Sequence, residues 1–286
     1  MQEIAPHVFI ENAYAGVTLA AINWSHGLLL IDSPFRADDV RAWRASLLNL
    51  SGGVDRLMIN LDAHFDRTLG ARAMDCTIIG HDKMAGVFRN RPTTFKTQSV
   101  ESGAEWEQCN GLGSIRWVPP EITFTDQMII YWDDSPLELN YRAGSSTGAI
   151  WARLPKQRIL FLGDAVVPGQ PPYLATGNLK EWLANLNMLL TPEYQDYILV
   201  SGRGGVVTMT QVHEQIRILE KIEKMVQEMA QKNAACEDTA SLVPALMKDY
   251  QTNPGNELQF QQRLRWGLNQ YYLRHFGSGS EDDLEE

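Results

Sequence analysis

The sequence predicts a layered α/β domain, and three observations carry that reading. Apolar runs of strand length recur through the first two hundred residues, segments with helical spacing alternate with several of them, and polar residues gather where the runs stop. Strand, helix, strand in this rhythm describes sheets covered by helices.

The elements follow in order. HVFI (7–10) and GVTLAAINWS (16–25) read as short strands joined by a polar turn. GLLLIDSP (27–34) is a buried strand stopped by Asp32, Ser33 and Pro34. Val40, Trp43, Leu47 and Leu48 give residues 36–50 a helical face, and Gly52 and Gly53 end it. A second strand (55–61), a short helix near 67–75 and a strand at 76–82 repeat that order. Residues 83–120 are irregular, with helical pieces and loops, and suit a lid or insertion. QMIIYW (127–132) and LELNYRA (137–143) form a hairpin across Asp133, Asp134, Ser135 and Pro136. Strands at 147–155 and 158–164 follow, then a Pro/Gly-rich loop and an amphipathic helix at 178–190. The last strand is expected at 196–205, running into a glycine-rich turn.

Beyond residue 208 the pattern turns helical. Ile218, Ile222, Met225 and Met229 form one apolar stripe, widened by Leu219 and Val226, and Phe260, Leu264, Leu268 and Tyr271 form another. Both stripes are expected to pack on the sheets or on a second subunit. The expected organisation is therefore a layered domain at 1–207, a helical extension packed on it at 208–276, and a disordered acidic tail at 277–286.

Bulk properties narrow the function classes. With 286 residues and 44% hydrophobic content, the chain can bury one substantial core. A formal net charge of −10 repels phosphate backbones, which argues against nucleic-acid binding. No apolar run approaches the roughly 20 residues a bilayer span needs, and the first residues lack the features of a signal peptide. The three cysteines, Cys76, Cys109 and Cys236, show no metal or disulfide spacing. A cytoplasmic protein without membrane or nucleic-acid partners is expected.

The chemistry gathers at strand ends. Asp62, His64, Asp66 and Arg67 follow one strand, Asp164 ends another, and Arg203 follows a third. A DxHxD run with a distant second Asp offers imidazole and carboxylates that could converge on a metal, although Asp and His also cap helices and form turns. Ser145 and Ser146 sit beside Gly144, but no GxSxG turn accompanies them, which argues against a serine hydrolase.

INLDAHFDRTLGARAM resembles the metallo-β-lactamase-superfamily signature HxHxDH. GLLLIDSP, AGSSTGAIWARLPKQRILFLGD and ILVSGRGG resemble three further landmarks of that family in the right order, over about 200 residues. The resemblance implies a four-layer αββα sandwich with up to two metals at one edge, here with a C-terminal helical extension. It also implies how the ligands have changed. Asp62 stands where the first signature His is found, His64 and Asp66 keep the family residue, and Arg67 replaces the final His. Ser145 falls on the His of the GHTPG stretch, Asp164 keeps the bridging Asp, and Arg203 replaces the last His.

A guanidinium has no lone pair for a metal and stays charged at any relevant pH. Arg67 and Arg203 match two ligands of one metal site, so that site is expected to be lost, with the arginines paired to Asp66 and Asp164. The leading expectation is a metal-free, non-catalytic relative that binds a small anionic ligand through Arg67, Arg203 and Ser145, or in which these residues form an ion-pair cluster. The alternative is a mononuclear hydrolase of an ester, thioester or phosphoester. In it, Asp62, His64 and Asp164 hold one Zn, Mn or Fe ion, and Asp66 is the catalytic residue that orients water. A third reading is homo-oligomeric assembly through the C-terminal helices.

Overall fold

A computed structural model describes the chain except residues 51, 52, 54, 93, 96–101, 110, 111, 113, 114, 134 and 278–286. The chain opens with β1 (Gln2–Ala5), β2 (Val8–Glu11), β3 (Leu19–Asn23) and β4 (Gly27–Ile31), then α1 (Ala37–Leu47) and β5 (Asp55–Ile59). α2 (Phe65–Thr68), α3 (Ala71–Met74), β6 (Thr77–His81) and α4 (Asp82–Asn90) follow. A two-residue pair, β7 (Thr94–Phe95) and β8 (Ile115–Arg116), precedes β9 (Ile122–Phe124). The second half holds β10 (Gln127–Ile130), β11 (Leu137–Tyr141), β12 (Ile150–Leu154), β13 (Ile159–Phe161), α5 (Leu179–Met188), β14 (Ile198–Ser201) and β15 (Gly205–Val207). The chain ends in α6 (Met209–Gln231), α7 (Val243–Met247) and α8 (Glu257–Phe276).

The strands make two large sheets, ordered β1-β2-β3-β4-β5-β6-β9 and β10-β11-β12-β13-β14-β15. Strand alternation sorts the side chains into layers. Ile22, Leu29, Ile31, Ile59 and Ile79 of the first sheet meet Leu139, Ile150, Ala152, Phe161 and Val200 of the second in one core between the sheets. The intervening residues Ala21, Leu28, Leu30 and Met58 turn outward under Val40, Trp43 and Leu47 of α1. Trp151, Leu160 and Leu199 face the other way, under Trp182 of α5, Leu219 and Ile222 of α6 and Leu264 and Leu268 of α8. The result is an αββα sandwich. β4 and β13 read as near-continuous apolar runs because both of their faces are covered.

Both apolar stripes of the C-terminal segment close on the second sheet of the same chain, with Met225 and Met229 packed at the edge of that cluster. No described helix is long and apolar enough to cross a membrane. Three features depart from the sequence reading. The strand expected to be last is followed by β15, which pairs antiparallel with β14 through Ser201↔Gly205 and becomes the sheet edge. The helix expected at 67–75 is broken into α2 and α3 at Gly70, where a Cβ would sit 1.9 Å from the Pro34 carbonyl oxygen. β1 and β9, too short to read by alternation, edge the first sheet. The expected stop at Gly52, the turn residue Asp134 and nearly all of the acidic tail lie outside the described residues.

Candidate functional site

Two parallel strand pairs decide where the polar residues meet. β4 runs parallel to β5, and β13 runs parallel to β14, so in each sheet the C-terminal ends of neighbouring strands lie side by side. Asp32 follows β4, Asp62 and α2 follow β5, Asp164 follows β13 in the 3-10 turn Gly163–Ala165, and Arg203 follows β14. Asp32 takes a left-handed turn (φ 59°) that ends its strand. Its Oδ1 then accepts from the Leu61 N–H at 3.0 Å and from Asn60 Nδ2 at 3.2 Å.

Arg67 lies at the centre and is fully buried. Its Nη1 is 3.3 Å from Asp32 Oδ2, its Nε is 3.2 Å from Asp62 Oδ1, and its Nη2 donates to Asp164 Oδ1. Gly202 makes the space, because a Cβ there would stand 2.6 Å from Arg67 Nη1. Arg203 is equally enclosed. Its Nε donates to both oxygens of Asp164 at 3.1 Å, its Nη1 to Asp66 Oδ2 at 2.8 Å, and its Nη2 to His64 Nδ1 at 3.2 Å. Since arginine only donates, His64 Nδ1 is the acceptor, and the neutral ring carries its proton on Nε2.

Charge inside this cluster follows from burial and partners. Asp164 faces two guanidiniums; burial alone would raise its pKa, but Arg203 and then Arg67 hold it well below the carboxylate range. Asp32 has only part of one arginine, and burial pushes it up to about 7. Burial also raises Asp62 and Asp66 by more than Arg67 and Arg203, respectively, lower them. His64 is lowered, by burial first and by Arg203 second, and stays neutral.

A wall of aromatic rings and cations covers the cluster. The guanidinium carbons of Arg203 and Arg263 lie 4.3 and 4.1 Å from the centroid of the Tyr173 ring. Arg263 comes from α8 and donates to the Gly103 carbonyl through Nε at 3.0 Å and Nη2 at 2.8 Å. Its Nη1 reaches Gln170 Oε1 at 2.7 Å. The C-terminal helix thus builds part of the site. On the outer side is a cavity of about 350 Å³, lined by His64, Phe65, Arg91, Trp106, Tyr173 and Trp266 among others.

Several expectations change at this point. The arginines pair with Asp66 and Asp164 as expected, but Arg67 reaches Asp164, Asp62 and Asp32, whereas Asp66 belongs to Arg203. Neither arginine lines the cavity. Arg67 and Arg203 are arranged as the ion-pair cluster that the sequence reading set beside ligand binding. Both guanidiniums are spent on buried carboxylates, and exposing them would strand those charges. Ser145 is buried and also does not line the cavity; its neighbours Ser146 and Thr147 do. Asp66 is a poor candidate for orienting water, because Oδ1 accepts from the Trp106 N–H at 2.8 Å and Oδ2 from Arg203.

Asp62, His64 and Asp164, the three candidate ligands of a single metal, each face a guanidinium at hydrogen-bond or ion-pair distance. As arranged, this donor set does not fit a divalent ion, which would lie beside fixed positive charge and would need Arg67 to leave three carboxylates. Among the described residues, no three His, Cys, Asp or Glu side chains are grouped to hold a metal.

The sequence reading did not assign Asp32, Arg91, Tyr173 or Arg263 to the site. Asp32 was visible as a carboxylate closing an apolar strand, and Arg263 as a cation beside the buried positions Phe260 and Leu264. Arg91 and Tyr173 sit in irregular segments, where no periodicity points to a neighbour.

No family model matches this chain, and no curated protein matches it in sequence. Its architecture does have solved counterparts. A metallo-β-lactamase from Pontibacter korlensis superposes with a TM-score of 0.60 at 17% identity, over 77% of this chain and 97% of that one. A metallo-β-lactamase family protein from Thermus thermophilus gives 0.64 at 16% identity, over 95% and 94%. A stereoselective inverting sec-alkylsulfatase from Pseudomonas sp. gives 0.70 at 15% identity; 97% of this chain spans 50% of that one. The chain has the metallo-β-lactamase fold. Coverage of 95% or more requires that the likeness extend into the C-terminal helices.

Proposed function

We propose that this chain is a metal-independent member of the metallo-β-lactamase fold, in which guanidiniums occupy the role of the metals and the neighbouring cavity binds a small organic molecule. One observation carries the reading. Arg67, fully buried at the strand ends, is within ion-pair distance of Asp32, Asp62 and Asp164 at once, while Arg203 links Asp164 to Asp66. Two fixed cations give the carboxylates what a metal pair would give them, namely charge compensation and a rigid geometry. They cannot supply a metal-activated water, so two-metal hydrolysis has no basis here.

Asp62 Oδ2, which is buried without a hydrogen-bond partner among the described residues, favours the mononuclear hydrolase as the second reading. The two readings separate in one assay. The full chain is incubated with Zn, Mn or Fe and tested against chromogenic esters, thioesters and phosphoesters. The first reading expects the buffer rate with every metal. A metal-dependent rate that disappears in Asp164→Ala would replace it with the second.

A further inference from the structure

The cavity beside the cluster has a definite chemical character. Arg91 lines it, and its guanidinium has no carboxylate within ion-pair distance among the described residues. Nη2 donates to the Ala63 carbonyl at 3.0 Å, whereas Nη1 is buried with no hydrogen-bond partner among the described residues. The cation is held in place by the rings of Phe65, Phe88 and Trp117, at 4.3, 5.1 and 4.9 Å.

Other partnerless polar atoms belong to residues that line the same space. Ser146 Oγ and Tyr173 Oη are buried without hydrogen-bond partners among the described residues, and both residues line the cavity. Each residue is 8% exposed. Burial keeps the Tyr173 phenol protonated, so it is available as a donor. His64 also lines the cavity, and with Nδ1 occupied by Arg203 its Nε2–H is a further donor. Among the described residues no Asp or Glu lines the cavity, and most of the remaining wall is apolar or aromatic, including Phe65, Trp106 and Trp266. Buried polar groups normally find partners, and a desolvated guanidinium without an anion is costly.

We infer that this cavity is a binding site for an organic monoanion, a flat or alkyl body bearing one carboxylate or sulfonate-like group, with the acidic head on Arg91, Ser146 and Tyr173 and the body against Phe65, Trp106 and Trp266. One cation and several neutral donors call for one negative charge with multiple acceptors. The volume of about 350 Å³ is at the small end of the range of about 300–1,000 Å³ for ligand pockets. The inference rests on the metal-independent reading, since a metal at His64 would reorder the donors.

The test is calorimetric titration of the full chain with 2-naphthoate and, separately, with the neutral isostere 2-naphthamide. Naphthoate is expected to bind at least about tenfold more tightly, as a charge-assisted hydrogen bond warrants. Arg91→Gln is expected to abolish that preference while Arg91→Lys keeps part of it. Equal affinities, no binding of either compound, or a preference unchanged in Arg91→Gln would overturn the proposal. The comparison of the two compounds on the unaltered protein decides the matter even if the variants fold poorly. Metal analysis of the same sample separates the two failures. Loss of the naphthoate preference in metal-free protein defeats only this inference, whereas bound metal defeats the reading beneath it.

Discussion

Arg67 and Arg91 are two buried guanidiniums that both approach the segment after β5, yet their surroundings are opposite. Arg67 contacts three carboxylates, and Gly202 leaves just enough room for it. Arg91 is sandwiched among aromatic rings with one carbonyl as its hydrogen-bond partner and no ion pair among the described residues. Their pKa values diverge accordingly. Burial lowers both, but Asp164, Asp62 and Asp32 more than restore Arg67, whereas Arg91 drops to about 10. Among the described residues, each guanidinium has one buried nitrogen without a hydrogen bond, but that of Arg67 lies 3.2 Å from Asp62 Oδ1, whereas that of Arg91 has no carboxylate at ion-pair distance.

Substitutions can break or sharpen this contrast. The largest effect is expected from Arg67→Met, which strands Asp32 and Asp62 and leaves Asp164 with Arg203 alone. Removing one member of a buried ion cluster costs about 3–5 kcal/mol, and urea unfolding would register it. A loss under about 1 kcal/mol would show that the cluster is not the structural centre it is taken to be. Gly202→Ala should be next, at about 1–3 kcal/mol from overpacking, because the new methyl group meets the Arg67 guanidinium. Arg91→Gln should cost only about 1 kcal/mol in folding, since no carboxylate loses an ion-pair contact and only the longer-range attraction to Asp62 is given up. A loss as large as that of Arg67→Met would erase the distinction between the two arginines.

The smallest expected effect is a pH dependence. His64 has a lowered folded pKa, so the unfolded chain takes up a proton that the folded chain refuses, and stability falls as pH drops below the ordinary histidine value. Asp32 is raised to about 7, so the folded chain holds a proton the unfolded chain lacks, and this contribution is lost as pH rises from the ordinary carboxylate value through about 7. The two oppose one another over the interval they share. In His64→Gln one of the opposing histidine effects is removed while those of His81 and His275 remain, and stability measured by denaturant at successive pH values should shift toward a steeper decline from about pH 5 to about pH 7 than in the wild type. Parallel curves would remove His64 from the charge account.

The layers of the fold were legible in the sequence because burial writes a period. The alternation of Leu29 and Ile31 with Leu28 and Leu30, and the helical spacing of Val40, Trp43 and Leu47, mark which faces are covered. The edge strands β1, β9 and β15, of four residues or fewer, carry too little pattern to be seen. At the site, residue chemistry named Asp66 and Asp164 as partners of Arg67 and Arg203, but not Asp32 or Asp62, and not which arginine takes which carboxylate. Those partners depend on how the two sheets face each other: Arg67 of the first sheet's edge reaches Asp164 of the second, and Arg203 of the second reaches Asp66 of the first. The cavity was least legible, because Arg91, Ser146, Tyr173 and Trp266 come from four separate segments and no local pattern joins them.

The most direct test of the central claim is elemental analysis of the purified full chain, before and after incubation with Zn, Mn or Fe and dialysis. If guanidiniums have taken over the metal positions, every sample should hold less than about a tenth of an equivalent. About one equivalent that is lost in Asp164→Ala, or two equivalents in the unaltered protein, would contradict the account.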